Sequence, residues 1–238
     1  MSEWKAKRFW KMATVAERDG GFAVELDGRS VKTPAKQVLQ VPTRAMAEAI
    51  ALEWDAQEDA INPNTMPVTK TANAAIDKVT IQHEEVAEML AAYGDSDLLC
   101  YRADSPEELI ARQAEQWDPM LDWAAEHLDA RLETRTGVVH APQEKTAIEA
   151  LRQRTHALDP FELAAFHDLV SLSGSLVLGF AAAMGARSAE ELWGISRLDE
   201  IWQEEQWGED DDATALAEIK REAFLHAKRM FDLAQRVS

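Results

Sequence analysis

Cysteine is almost missing from this chain. Cys100 is the only one among 238 residues, which excludes an internal disulfide and a thiolate cluster for zinc. A reducing compartment and a small, buried, inert thiol are expected. Basic charge is short as well: 25 Lys and Arg stand against 43 Asp and Glu, a formal net charge of −18. Nucleic acid and anionic membrane surfaces are polyanions and are excluded as default partners, whereas a neutral or basic protein surface fits. The deficit is uneven. Residues 1–44 hold nine Lys or Arg against five Asp or Glu, which makes them net +4 and leaves −22 for the rest.

Long apolar runs are scarce. Leu169 to Ala186 is 18 residues without a charge, the lower edge of a spanning length. Three serines and three glycines dilute it, no aromatic belt flanks it, and Asp168 and Arg187 give no strong positive-inside signal. A buried core helix, broken near Ser173 and Gly174, is expected, with Gly174, Ser175 and Gly179 allowing neighbouring helices to approach closely. The start, MSEWKAKRFW, lacks an apolar stretch after its basic residues and is too short and Trp-rich for a transit peptide, so a cytoplasmic protein is expected.

The common enzyme signatures are missing too. There is no phosphate-binding loop ending in Gly-Lys, no GxGxxG, no nucleophile elbow and no HExxH. His83, His127, His140, His156, His167 and His226 are scattered, and the Glu-x-x-His repeat of di-iron bundles is not found. Neither a metal nor a cofactor is expected.

What the chain does have is LDEIWQEEQWGEDDDA, residues 198–213, where Trp202 and Trp207 lie among eight carboxylates with no basic residue between them. Exposed tryptophan in acidic surroundings suits docking to a partner better than chemistry. A second reading stays open, because acids ahead of a helix also stabilise its positive end. The run Glu209 to Asp212 lacks the spaced oxygens and turn glycine of a calcium loop.

Hydrophobic periodicity gives the rest. Residues 7–41 alternate as strands, with Asp27-Gly28 as a hairpin turn, Phe22, Val24 and Leu26 as one face, and QVLQV as a further strand. From Thr43, an N-cap after Pro42, the period becomes helical through Met46, Ile50 and Trp54 and ends before Asn62-Pro63. Met66 and Pro67 begin a connector, and Val68 to Tyr93 is helical with Ile76, Val79, Val86, Met89 and Leu90 as core candidates. Ser105 and Pro106 open one helix and Pro119 another. Trp54, Trp117 and Trp123 are expected as core anchors. After a loop at Thr134–Pro142, helices are expected near 143–157, 160–172, 175–184 and 188–205. The last runs from about Asp212 with the stripe Leu216, Ile219, Ala223, Ala227, Met230 and Ala234. The fold class is therefore α+β: a small N-terminal antiparallel β domain, residues 1–80 with its following helix, and a larger all-helical C-terminal domain, residues 81–238.

Seven strings in order, RFWK (8–11), LDGRSVKTP (26–34), EWDAQ (53–57), MPVTK (66–70), SDLLCYRA (96–103), RQAEQWDP (112–119) and DEIWQEEQWGEDDDA (199–213), resemble the chaperones that assemble the catalytic head of the F-type ATP synthase in mitochondria and alpha-proteobacteria. The resemblance implies binding without turnover: the unassembled alpha subunit is held, its beta-facing surface shielded, and the chaperone released as the head assembles. A monomer is expected in the free state, with no nucleic acid bound and no membrane insertion. The family's sensitive strings place the contact at Trp54, Asp55 and Gln57 and at Trp207, Gly208, Glu209, Asp210, Asp211 and Asp212, and Trp202 with its neighbour Gln203 in the same acidic stretch is added to it. Mitochondrial members differ after the second Trp-Gly, and Asp211 is taken as the counterpart of their key carboxylate. From the residues alone, an enzyme acting on a small cationic or metal-bound substrate through the acids near Asp210 and a histidine such as His226 is the alternative.

Overall fold

In the computed structural model, which describes residues 7–235, the N-terminal alternation becomes a four-stranded antiparallel sheet built around its second strand. β1 (Ala13–Arg18) pairs along all of β2 (Gly21–Leu26), while β3 (Arg29–Ser30) and β4 (Gln40–Val41) share the other edge of β2. Asp27 and Gly28 both take positive φ, 48° and 79°, and supply the expected turn. The expected alternation is only partial. Ala23 is as fully buried as Val24, because α1 (Arg44–Asp55) packs on β1 and β2.

Thr43 caps α1 by accepting a hydrogen bond from the Met46 N–H at 3.1 Å, and Met46, Ala47 and Ile50 are fully buried. Pro67 begins no connector. It is the first residue of α2 (Pro67–Ala74), where its missing N–H costs nothing. A π-helical turn, Ala75–Val79, leads to α3 (His83–Ala91). Leu90 and Val79 are buried as expected, whereas Met89 is 48 % exposed.

The chain groups into two units. One takes the described residues up to His83, Asp159–Ala165 and those from Arg229; the other takes Glu84–Leu158 and Phe166–Lys228. The first holds the sheet, α1 and α2. The second is helical apart from one short parallel pair, β5 (Tyr101–Arg102) with β6 (Arg135–Thr136), the latter inside the segment expected to be loop.

In the second unit, α4 (Glu107–His127) departs from expectation at both prolines. Pro106 is the N-cap in extended conformation, so Ser105 does not cap, and Pro119 lies inside a continuous helix instead of starting a new one. Trp117 on α4 is fully buried and donates its Nε1–H to the Ile195 carbonyl at 2.9 Å. Trp123 is half-buried and stacks on His127. After α5 (Lys145–His156) come α6 (Pro160–Ser173) and α7 (Leu176–Ala183), separated at Gly174 as the sequence indicates. All eight residues of α7 are buried. Among the described residues no helix is long and apolar enough to cross a membrane.

The region expected as one helix over 188–205 is two, α8 (Ala189–Ser196) and α9 (Leu198–Trp207), because Arg197 leaves helical geometry at φ −102°, ψ 11°. α10 (Asp211–Ala234) follows. Its apolar stripe is covered from Phe224 onward, but Leu216 and Ile219, at the start of the same stripe, are 52 % and 64 % exposed.

Candidate functional site

The acidic stretch lies on α9, the corner after it, and the start of α10, all within the second unit. Half of its carboxylates are already engaged. The Gln113 side chain donates to Asp199 at 2.7 Å, and Arg112 grips Glu205 through two nitrogens at 2.6 and 3.0 Å. Arg197 pairs with Glu200 at 2.7 Å and reaches Glu204 at 3.8 Å. The Arg112 hydrogen bond holds the Glu205 carboxyl below the usual range. The Arg112 and Gln113 bonds tie α9 to α4, and the two arginines offset half of the negative charge of these four carboxylates.

The remaining four acids behave differently. Asp210 caps α10: its Oδ1 accepts the Ala213 N–H and its carbonyl accepts the Thr214 N–H, both at 2.8 Å. Glu209, Asp210, Asp211 and Asp212 are all exposed, and among the described residues none of them takes part in an ion pair. Both readings of this run therefore hold in part, since it starts a helix and also leaves a negative edge open to solvent.

The two tryptophans part company. Trp202 is half-buried with the Arg112 guanidinium 5.9 Å from its ring centre. Trp207 is 79 % exposed at the end of α9. Gly208 follows with φ 91° and ψ 161°, a conformation open essentially to glycine, and turns the chain into α10. Between the two helices lies an open groove of about 370 Å³, with Arg197, Glu200 and Glu204 on one wall, Leu216, Ala217 and Lys220 on the other, and Trp207 at the corner. Gln203, Gly208, Asp210 and Ala213 complete the lining near the corner. α10 is in turn held to α8, since Arg221 bonds Glu190 of α8 at 2.6 and 2.8 Å and is itself steadied by Glu218 of its own helix at 2.6 Å.

The EWDAQ string sits in the first unit and is largely occupied with holding that unit together. Glu53 accepts the Val68 and Thr69 N–H groups at 2.7 and 2.8 Å, capping α2. Asp55 accepts the Ala13 N–H at 2.8 Å and lies 3.7 Å from Arg8. Gln57 is 4 % exposed; its amide donates to the Glu53 carbonyl and to Thr65 and accepts the Asn62 N–H. Trp54, half-buried, meets Trp10 edge to face at 5.2 Å. Of the three residues singled out here, Asp55 is exposed, Trp54 partly so, and Gln57 is not.

The structure also brings in residues that the sequence reading left aside. Arg197 stands immediately before the acidic stretch and neutralises part of it, and Lys220 closes the far end of the groove. Arg197 was visible as a lone cation just ahead of the acids, whereas Lys220 is followed by Arg221 and did not stand out. Leu216 was legible only as part of an apolar stripe, because periodicity reports a face, not what covers it. Asp210 and His226, the pair of the alternative enzyme reading, do not line one groove: Asp210 caps α10, and His226 is absent from the lining. Among the described residues no group of three or more His, Cys, Asp or Glu can hold a metal ion.

Comparisons with known proteins agree with this picture. A family model described as ATP12 chaperone protein matches residues 7–125. The crystal structure of Atp12 from Paracoccus denitrificans is 48 % identical, covers 98 % of this chain and 100 % of its own, and superposes with a TM-score of 0.95. An aspartate-to-lysine mutant of the Paracoccus protein gives 47 % identity over the same shares and a TM-score of 0.96. Mitochondrial atp12 of Schizosaccharomyces pombe is 28 % identical over 219 residues, 87 % of this chain and 75 % of that protein. With half of its length matched by the family model and almost all of it by Paracoccus Atp12, this chain belongs to the ATP12 chaperone family.

Proposed function

We propose that this chain acts in ATP synthase assembly by binding the unassembled alpha subunit, shielding the surface that beta will cover, and leaving as the catalytic head forms. It works in the bacterial cytoplasm by binding alone, with no substrate turned over. The observation that carries this reading is the exposure of Trp207 and Leu216 in one groove, with Ile219 exposed on the same helix as Leu216, in a member of a chaperone family. Apolar surface left in water forfeits roughly 25 cal/mol per Å², which a partner covering it recovers. Around this surface Glu209 to Asp212 supply negative charge that speeds encounter with a basic face and keeps the pair in solution.

Trp202, Gln203 and Gly208 belong to the same contact, Trp202 at its edge and Gly208 by setting its shape. Trp54 and Asp55 form a second, smaller part on the first unit, and Gln57 supports them from beneath. Purified alpha subunit aggregating alone, followed by light scattering, tests the reading: this chain at one-to-one is expected to suppress the signal, and added beta to release alpha. Aggregation of alpha that proceeds unchanged in its presence would remove the proposal.

A further inference from the structure

The groove between α9 and α10 also constrains what fills it. α10 carries a repeat alternating three and four residues, Ala213, Leu216, Lys220, Ala223, Ala227, Met230 and Ala234, apolar at every position but Lys220, the spacing at which helices pack against helices. From Phe224 onward this side of α10 is buried, with Phe224 against Trp193 at 5.7 Å. Over its first three turns the same pattern faces the groove through Ala213, Leu216 and Lys220, with Ala217 beside them. The opposite wall is again a helix, ten residues long, or about 15 Å.

Backbone chemistry selects the occupant. The α10 wall and the corner meet an occupant through Ala213, Leu216, Ala217 and the Trp207 ring, whereas the α9 wall presents the polar side chains of Arg197, Glu200, Gln203 and Glu204; both walls use their own backbone groups within their helices. An extended segment laid along the α10 wall would leave N–H and C=O groups facing apolar side chains, at a cost that a helix avoids by satisfying them internally, and an amphipathic helix matches one apolar and one polar wall. The ends of the groove differ in charge as well. The unpaired acids Glu209 to Asp212 flank the corner, and Lys220 stands at the far end. A helix carries partial positive charge at its amino end and partial negative charge at its carboxyl end, which sets one direction along the groove.

Resting on the chaperone reading above, we propose that the groove receives an amphipathic helix of the client, two to three turns long, with its apolar face on Trp207 and Leu216 and its amino end toward Glu209–Asp212. The occupant completes a three-helix arrangement in which the uncovered half of the α10 stripe becomes interior. Its own sequence carries apolar residues three and four apart, with basic side chains near the amino end.

The test places the photo-reactive residue p-benzoylphenylalanine at Leu216 or at Glu209 of the full chain, forms the complex with purified alpha subunit, irradiates, and maps the linked peptides. Both positions are expected to link to one helical segment, position 209 nearer its amino end. A complex that forms yet links from 216 to an extended segment, or not at all, overturns the helix proposal while the chaperone reading stands. No complex overturns both. As a second readout, Leu216→Asp is expected to weaken the complex at least about tenfold with its melting curve unchanged; unaltered affinity would again overturn the proposal.

Discussion

A β-carbon added to Gly179 would stand 2.7 Å from Cγ2 of Val170 and 3.2 Å from the Phe166 ring, so these two α6 side chains pack directly on the α7 backbone at this point. Gly179→Ala improves helix propensity by about 1 kcal/mol. It is nevertheless expected to lower stability, because forcing a methyl group into a filled core costs about 1–3 kcal/mol. Urea denaturation compares the two proteins, and a gain in midpoint would show that the helices separate freely.

Glu53 caps α2 from α1 through the Val68 and Thr69 N–H groups, and removing it leaves these donors without their partner. Glu53→Ala is expected to cost about 1.5–3 kcal/mol, the range for hydrogen bonds to a charged group. The loss is measured as a shift in denaturation midpoint. Client affinity measured well below the transition is expected to stay the same.

Trp207→Ala should give the reverse pattern. A side chain exposed to this degree contributes little to the fold, so stability is expected to change by no more than about 0.5 kcal/mol. Affinity for the alpha subunit should fall at least about tenfold, as for a tryptophan at the centre of an interface. Calorimetry of the free protein and of the complex separates the two effects.

Charge reversal at Glu209, Asp211 and Asp212 addresses encounter more than residence. With three lysines there, association with alpha is expected to slow and to lose most of its salt dependence, with dissociation changed less. Stopped-flow mixing at two ionic strengths measures this; an unchanged association rate would place the steering charge elsewhere.

Asp97 carries the clearest pH dependence. It is fully buried, and burial pushes its carboxyl up to about 6, while hydrogen bonds from Ser175 and from the Val177 and Leu99 N–H groups oppose the rise. The native state therefore holds this proton more tightly than the unfolded chain does. The corresponding stability is fully present below the ordinary carboxylate pKa and is lost as pH rises through about 6. Asp97→Asn lacks this titration. The stability difference between wild type and mutant is expected to move against the wild type from pH 4 to 6 and to level off above, as read from urea midpoints at each pH.

Elements with strong local signals were legible in the sequence: the Asp27-Gly28 turn, the Thr43 cap, and the break at Gly174. Each is decided by a few adjacent residues. The prolines misled because a proline inside a helix and one at its start present the same neighbours, and only packing around Trp117 shows that α4 continues through Pro119. Nor does a linear pattern reveal that Asp159–Ala165 and the residues from Arg229 group with the first unit. At the site, the exposed tryptophan and the acids could be read directly, but the neutralisation of Glu205 by Arg112, 93 positions away, could not.

Gly208 gives the site an independence that packed interfaces lack. The two walls are fastened outward, α9 to α4 through Arg112 and Gln113 and α10 to α8 through Arg221, and one main-chain corner joins them. Aperture and specificity are thus governed by separate residues: a change at 208 alters the corner and re-aims the helices while the side chains on both walls stay as they are, and changes at 207, 213 or 216 alter what is recognised within a frame of constant width. Client preference in this scaffold can drift without the frame being rebuilt.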